Sequence, residues 1–289
     1  RHWMENSPLS RKLTSRFVAG QTLKDGILVL RALSGERMKG TLDFLGENVT
    51  SLEDAAKSKA SYISAQDEIA KANLPATVSI KLTQFGLDLS EQACRSNVAT
   101  LVDQARAMNS RVEFDMESTA YTDRTLEMVT SFAASHPGNV RAVIQAYLFR
   151  SEADIRMLSA RKIPVRLCKG AYREPANLAF AKKSDVDANY LKLMRMLLTE
   201  GTQPAIASHD EKIIRQAVDC FRELKLSPDC LEFQMLYGIR RDLQRELVAQ
   251  EFNLRLYVPY GDAWYPYFMR RLAERPANLL FLAKSITRS

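Results

Sequence analysis

Tyr267, Arg270, Arg271 and Glu274 fall at i, i+3, i+4 and i+7, so a helix would carry all four on one face. Paired arginines on one face suit a carboxylate, because each guanidinium can give it two parallel hydrogen bonds. Glu274 lies four residues after Arg270 and could steady it. The same spacing also describes a solvated amphipathic helix with ordinary intrahelical pairs. Neighbouring residues delimit the helix. Pro259 and Gly261 mark a loop, and Pro266 is tolerated only in a first turn, which starts the helix near Ala263 or Trp264. Pro276 cannot continue it.

Other reactive side chains sit inside or beside short apolar runs. Glu47 closes Gly40–Glu47, and Lys81 lies within Thr77–Thr83. Asp115 and Glu117 belong to Arg111–Glu117, Gln145 and Tyr147 to Arg141–Tyr147. Arg166 and Lys169 belong to Pro164–Lys169, with Gly170 next. Ser208 and His209 end Ala205–His209, Glu232 and Gln234 lie in Leu231–Leu236, and Tyr257 in Leu254–Val258. Burying an unpaired charge is expensive. Charges in so many runs therefore point either to structural ion pairs or to one mouth that binds a charged small molecule. A hydrolase triad around Ser208 and His209 is disfavoured, because the chain has no GxSxG elbow.

The runs read as eight strands, and amphipathic stretches lie between them: Leu52–Ala72, Glu91–Met108, Thr122–Ser135, Ser151–Ser159, Asp185–Thr199 and Glu211–Leu224. Ser51 and Ser90 are placed to cap two of these helices. Strand–helix units repeating every roughly 23 to 39 residues predict an α/β fold, a (β/α)₈ TIM barrel. A doubly wound open sheet would ordinarily carry a GxGxxG turn, and there is none. A helical lead-in, with a helix over Thr22–Ala32 stopped by Gly35, precedes the first unit. The expected organisation is an N-terminal helical segment over 1–36 and a catalytic barrel over 37–289. Barrel reactive groups sit at the C-terminal ends of the strands, which is where these polar residues fall.

The 289 residues are 46% hydrophobic and carry a net charge of +7 with a pI near 9.2, consistent with one large globular core. The basic residues are dispersed and no recognition motif accompanies them, which argues against nucleic acid. Peripheral contact with the anionic inner face of a membrane stays open. Four cysteines without a CxxC pair and three histidines without zinc spacing predict reduced thiols, no metal and a cytoplasmic setting. No apolar run approaches the roughly 20 residues that cross a bilayer.

The tail Tyr257-Val-Pro-Tyr-Gly, followed by Tyr267-Phe-Met-Arg-Arg-Leu-Ala-Glu-Arg-Pro-Ala-Asn278, resembles the C-terminal signature of proline dehydrogenase. Seven further blocks are similar to that family in the same order: Thr41-Leu-Asp-Phe-Leu-Gly-Glu47, Ser79-Ile-Lys-Leu-Thr83, Phe114-Asp-Met-Glu117, Gln145-Ala-Tyr-Leu148, Val165-Arg-Leu-Cys-Lys-Gly-Ala-Tyr172, Ala207-Ser-His-Asp210 and Glu232-Phe-Gln-Met-Leu-Tyr-Gly238. The resemblance runs from about Arg16 to the tail, and is to the monofunctional bacterial type and to the corresponding domain of bifunctional proline utilization proteins. It implies a distorted (β/α)₈ barrel that uses FAD and oxidises L-proline to Δ1-pyrroline-5-carboxylate by hydride transfer to flavin N5. Electrons would pass to a membrane quinone, in the first step of proline catabolism.

The resemblance also implies roles. Lys81, Arg270 and Arg271 would bind the substrate carboxylate, with Tyr172, Leu236 and Tyr257 around the pyrrolidine ring. Asp115 would sit near the flavin on the Lys81 side, and Arg166 beside the flavin ring, tuning it. Met116, Gln145, Cys168, Lys169, Gly170, Ala171, Ser208, His209 and Glu274 would contact FAD. Glu47 would pair with Arg270 as a gate. Cys168 departs from the apolar residue common there in the family; a backbone contact to flavin would make the change minor. Two rivals remain: another flavin barrel of the folate-reductase type, and a non-catalytic basic barrel that docks on a membrane or nucleic acid. A flavin absorbance spectrum separates them.

Overall fold

Polar residues recur at every second position of the apolar runs, and a strand sends alternate side chains to opposite faces. In the computed structural model, which describes residues 17–46, 48–227, 230–265 and 267, the runs form eight parallel strands closed into a barrel. They are β1 (Lys39–Phe44), β2 (Ala76–Ile80), β3 (Val112–Phe114), β4 (Val140–Gln145), β5 (Val165–Cys168), β6 (Ala205–Ala207), β7 (Glu232–Leu236) and β8 (Asn253–Tyr260). Closure is made by β1, which pairs Gly40 with Ala76 on β2 and Thr41 with Tyr257 on β8. Strands β1 to β6 end before the runs they come from, because the polar residues at the mouth leave the ladder for loops.

The helices are α1 (Leu23–Gly35), α2 (Leu52–Lys71), α3 (Glu91–Ala107), α4 (Thr119–Ser135), α5 (Ser151–Ala160), α6 (Lys183–Glu200), α7 (Glu211–Glu223) and α8 (Arg241–Ala249). Side chains cap several of them. Ser51 accepts from the Asp54 N–H, Ser90 from the Ala93 N–H, and Thr22 forms a reciprocal capping box with Asp25. Trp264, Tyr265 and Tyr267 are helical, in line with the start expected near Trp264. All four cysteines are free thiols. Among the described residues, no helix is long and apolar enough to cross a membrane.

Alternation sorts the strands into two faces. Leu42, Val78, Phe114, Ile144, Leu167 and Phe233 join the helix residues Tyr62, Leu101, Val129, Leu158 and Tyr190 in one buried apolar layer. The opposite face, inside the barrel, is polar, whereas branched apolar side chains usually fill that space. Helix α1 covers the seam where β1 meets β8 and packs against both. Its Leu30 is buried over Gly40, where a built Cβ would stand 2.1 Å from Leu30 Cδ2, so a side chain at position 40 would force the Leu30 methyl to move. The lead-in helix is thus part of the core. Leu30→Ala should destabilise the fold by about 2–5 kcal/mol, read from the urea midpoint; a change below about 1 kcal/mol would show that α1 is peripheral.

Candidate active site

The barrel interior holds two charged tiers. The lower one is a floor. Glu232, at the N-terminal end of β7, receives Arg141 at 2.8 Å and both Arg255 Nε and Nη2, at 2.9 and 3.1 Å. Gln234 Nε2 also donates to Glu232, at 2.8 Å. Glu113 is completely buried and lies 3.4 Å from Arg141 and 3.7 Å from Arg255. Read from the sequence as mouth residues, Glu232 and Gln234 instead belong to this floor, because parity gives the face of a strand and not the height along it. Structural ion pairing is the right description of this tier.

The upper tier sits at the C-terminal mouth. Lys81 directly follows β2 and opens the 3₁₀ turn Leu82–Phe85. Asp115 directly follows β3, and its backbone N–H donates to Ile80 O at 2.9 Å, so the two loops leave the barrel side by side. The Asp115 carboxylate accepts from four groups: Tyr257 OH at 2.6 Å, Ser79 Oγ at 2.7 Å, Arg166 Nη1 at 2.7 Å and Lys81 Nζ at 3.2 Å. Lys81 also reaches Asp43 Oδ1 and Tyr257 OH, each at 3.3 Å. Arg166 bridges the tiers, with Nη2 on Glu113. The Tyr257 ring has Arg166 Cζ at 5.6 Å and Lys81 Nζ at 6.0 Å from its centroid. Tyr62 of α2 braces the group, donating to Ser79 O at 2.8 Å and accepting from the Phe44 N–H at 3.1 Å.

These contacts set the charge states. Burial pushes the Asp115 carboxyl up, but Lys81 and Arg166, with hydrogen bonds from Tyr257 and Ser79, outweigh it and hold Asp115 below its ordinary value. Burial likewise opposes the charge on Arg166, and Glu113 and Asp115 outweigh it, so the guanidinium stays protonated. Burial, then Asp115 and Asp43, raise the Tyr257 phenol well above its ordinary value. The Asp115 side chain is 12% exposed while that of Glu113 is 0%, which places Asp115 at the solvent side of the cluster.

A second group lines the mouth over β4 to β7. Gln145 Nε2 donates to Glu117 O at 2.9 Å, and Gln145 Oε1 accepts from the Ala171 N–H at 3.3 Å. Gly170 has φ +122, and a built Cβ would stand 2.2 Å from the Tyr147 ring, so glycine is required there. Burial pushes the Cys168 thiol up to about 12, leaving it neutral, with Sγ 3.5 Å from Ile144 O. His209 Nε2 accepts from the Leu236 N–H at 2.7 Å, which assigns the ring proton to Nδ1. Ser208 Oγ accepts from the Asp210 N–H at 3.1 Å.

Four of the predicted residues, Lys81, Asp115, Arg166 and Tyr257, therefore meet in one cluster, and Leu236 is the ladder neighbour of Tyr257. Gln145, Cys168, Gly170, Ala171, Ser208 and His209 form the second group; Met116 is buried close behind Asp115 in sequence, and Tyr172 is half-buried in the loop after β5. Lys169 pairs with Asp187 at 2.6 Å and with Asp210, next to His209, at 2.9 Å. Glu47, Arg270, Arg271 and Glu274 lie outside the described residues. Asp43, Ser79 and Glu113 were missed. Their signal was position: Ser79 and Glu113 stand two residues before Lys81 and Asp115, on the same face of their strands.

A closed barrel with a buried carboxylate, two cations and a phenol at its C-terminal mouth defines an α/β-barrel enzyme for a small charged molecule. Comparison with known proteins narrows the class. The family profile described as proline dehydrogenase matches residues 29–284. Proline dehydrogenase 2 of Bacillus subtilis is 39% identical over 279 residues, covering 96% of this chain and 92% of that one. Proline dehydrogenase of Deinococcus radiodurans is 37% identical over 281 residues, covering 95% and 90%. Among solved structures, proline utilization A from Bdellovibrio bacteriovorus inactivated by N-propargylglycine superposes with a TM-score of 0.84 at 26% identity. That match covers 91% of this chain and 32% of the longer one. The chain belongs to the proline dehydrogenase family and is an oxidoreductase of proline catabolism.

Proposed function

We propose that the mouth binds L-proline and, with FAD, oxidises it to Δ1-pyrroline-5-carboxylate, passing the electrons to a quinone at a membrane surface. The single observation that carries this reading is the convergence of Lys81, Asp115, Arg166 and Tyr257 within hydrogen-bonding distance at the C-terminal mouth. Lys81 is the cation for the substrate carboxylate, with Arg270 and Arg271 assigned to the same task by spacing and resemblance. Tyr257, Leu236 and Tyr172 pack on the pyrrolidine ring. The resemblance assigns Glu47, with Arg270, to a gate over the site; both lie outside the described residues.

The residues of the second group suit a flavin. Gly170 presents bare backbone at the mouth, and among the described residues Arg166 Nε is a buried donor with no partner. Met116, Gln145, Cys168, Lys169, Gly170, Ala171, Ser208, His209 and Glu274 would hold FAD, which supplies the two-electron acceptor. Arg166 provides a fixed positive charge that favours the reduced ring. Orientation is the main contribution of the remaining residues. Asp115, held below its ordinary value with four donors on its oxygens, is a weak base, and the Tyr257 phenol stays protonated near neutral pH.

The purified protein should release FAD on heat denaturation, identified by its chromatographic retention, and should reduce a soluble quinone only when L-proline is present. A colourless protein that takes up no FAD would refute the reading.

A further inference from the structure

The other end of the barrel carries a second charged cavity. A cleft of about 850 Å³ opens at the N-terminal ends of β1 to β3; Lys39, Arg106, Arg111 and Arg255 line it, and among the described residues no carboxylate does. About 13 Å of β1, the four residue steps from Lys39 to Asp43, separates it from the mouth. Lys39 sits beside Arg255 in the ladder, a juxtaposition of like charges that strands avoid. Arg255 is occupied by Glu232, Gly40 O and Thr77. Among the described residues, neither Lys39 nor Arg111 has an ion-pair partner. Arg111 Nη2 donates to Gln203 Oε1 at 2.7 Å, while its buried Nη1 has no hydrogen-bond partner among the described residues.

The floor does not neutralise this charge. Lys39, Arg111, Arg141 and Arg255 face two carboxylates, Glu113 and Glu232, and Glu113 is shared with Arg166. Burial is the largest influence lowering Lys39 and Arg111, the latter to about 10, and neighbouring arginines lower both further. An anion in the cleft would relieve that repulsion and satisfy Arg111 Nη1.

We propose that the N-terminal cleft is a binding site for a phosphate group, held by Lys39 and Arg111. A guanidinium fork and an ammonium, with the Gln203 and Asn139 amides in the same lining, suit an oxyanion with several acceptor oxygens. A second proline fits poorly, since its ammonium would meet no carboxylate in the lining. The group could come as inorganic phosphate or on a nucleotide.

The test is calorimetric titration and thermal unfolding of the FAD-loaded protein with inorganic phosphate, with ADP in a parallel arm, against chloride at equal ionic strength. Phosphate should bind once per chain and raise Tm saturably. Lys39→Gln and Arg111→Gln should each weaken binding about tenfold or more, leaving proline oxidation unchanged. If Arg111→Gln fails to fold, Lys39→Gln decides alone. Tighter binding of ADP that Lys39→Gln abolishes would name a nucleotide; ADP no better than phosphate would name the free ion. A phosphate effect equal to that of chloride, or affinity unchanged in Lys39→Gln, overturns the proposal.

Discussion

Asp115→Asn should lower kcat/KM for L-proline by at least about a hundredfold and destabilise the fold by about 3–5 kcal/mol. Four donors converge on this carboxylate. An amide cannot accept from all of them, and it turns its own N–H groups toward Lys81 or Arg166. Breaking one side of a buried ion network leaves uncompensated charge, which costs more than the net worth of the pair. The pH dependence carries a sign that tests the electrostatics. The folded value of Asp115 lies below the ordinary 3.8, so its contribution is fully present above that value and is lost as pH falls through the folded one. Wild-type stability should therefore drop on acidification below about pH 4, and the Asn variant should drop less steeply. Urea midpoints between pH 3 and 7 read this out. Equal acid slopes for the two proteins would show that Asp115 is not held down in the folded state.

Arg166→Met should be comparably severe. It strips the shared cation from Glu113, which has no exposure, and from Asp115. Glu113 keeps Arg141 and Arg255, so the protein should fold with a loss of about 3–5 kcal/mol rather than fail outright. A purely structural residue would change only stability. A cation assigned to the flavin ring should also set its reduction potential, so the Met variant should lie lower by on the order of 30 mV, equivalent to tenfold in a two-electron equilibrium. Arg166→Lys should recover much of that potential by restoring charge, but less of the stability, because an ammonium cannot bridge two carboxylates as a fork does. A potential unchanged in Arg166→Met would remove Arg166 from the role.

Much of this barrel was legible in the sequence, and the reason is local. Ser51 and Ser90 announce their helices by chemistry confined to one turn, and the eight strand runs carry their own alternation. Helix α8 was not anticipated: Arg240 starts it in a left-handed conformation with no capping side chain, so the usual signal is missing. Lys81, Asp115, Arg166 and Tyr257 stood out because charge or a phenol in an apolar strand is unusual. Their partners did not. Arg255 meets Gly40 across 215 positions of sequence, and Arg166 finds Glu113 across 53. Such pairings depend on how high each side chain rises in the closed barrel, which no single strand encodes. The same limit sent Glu232 to the mouth in the sequence reading and to the floor in the structure.

The central claim is that the Lys81–Asp115–Arg166–Tyr257 cluster is where proline gives up its electrons. The most direct measurement mixes the protein loaded with FAD with L-proline without oxygen and follows the flavin absorbance. The wild type should bleach fully with saturable dependence on L-proline, and Asp115→Asn loaded with the same amount of flavin should bleach at least about a hundredfold more slowly. Bleaching by 4-hydroxyproline but not L-proline, or equal rates in the two proteins, would contradict the account.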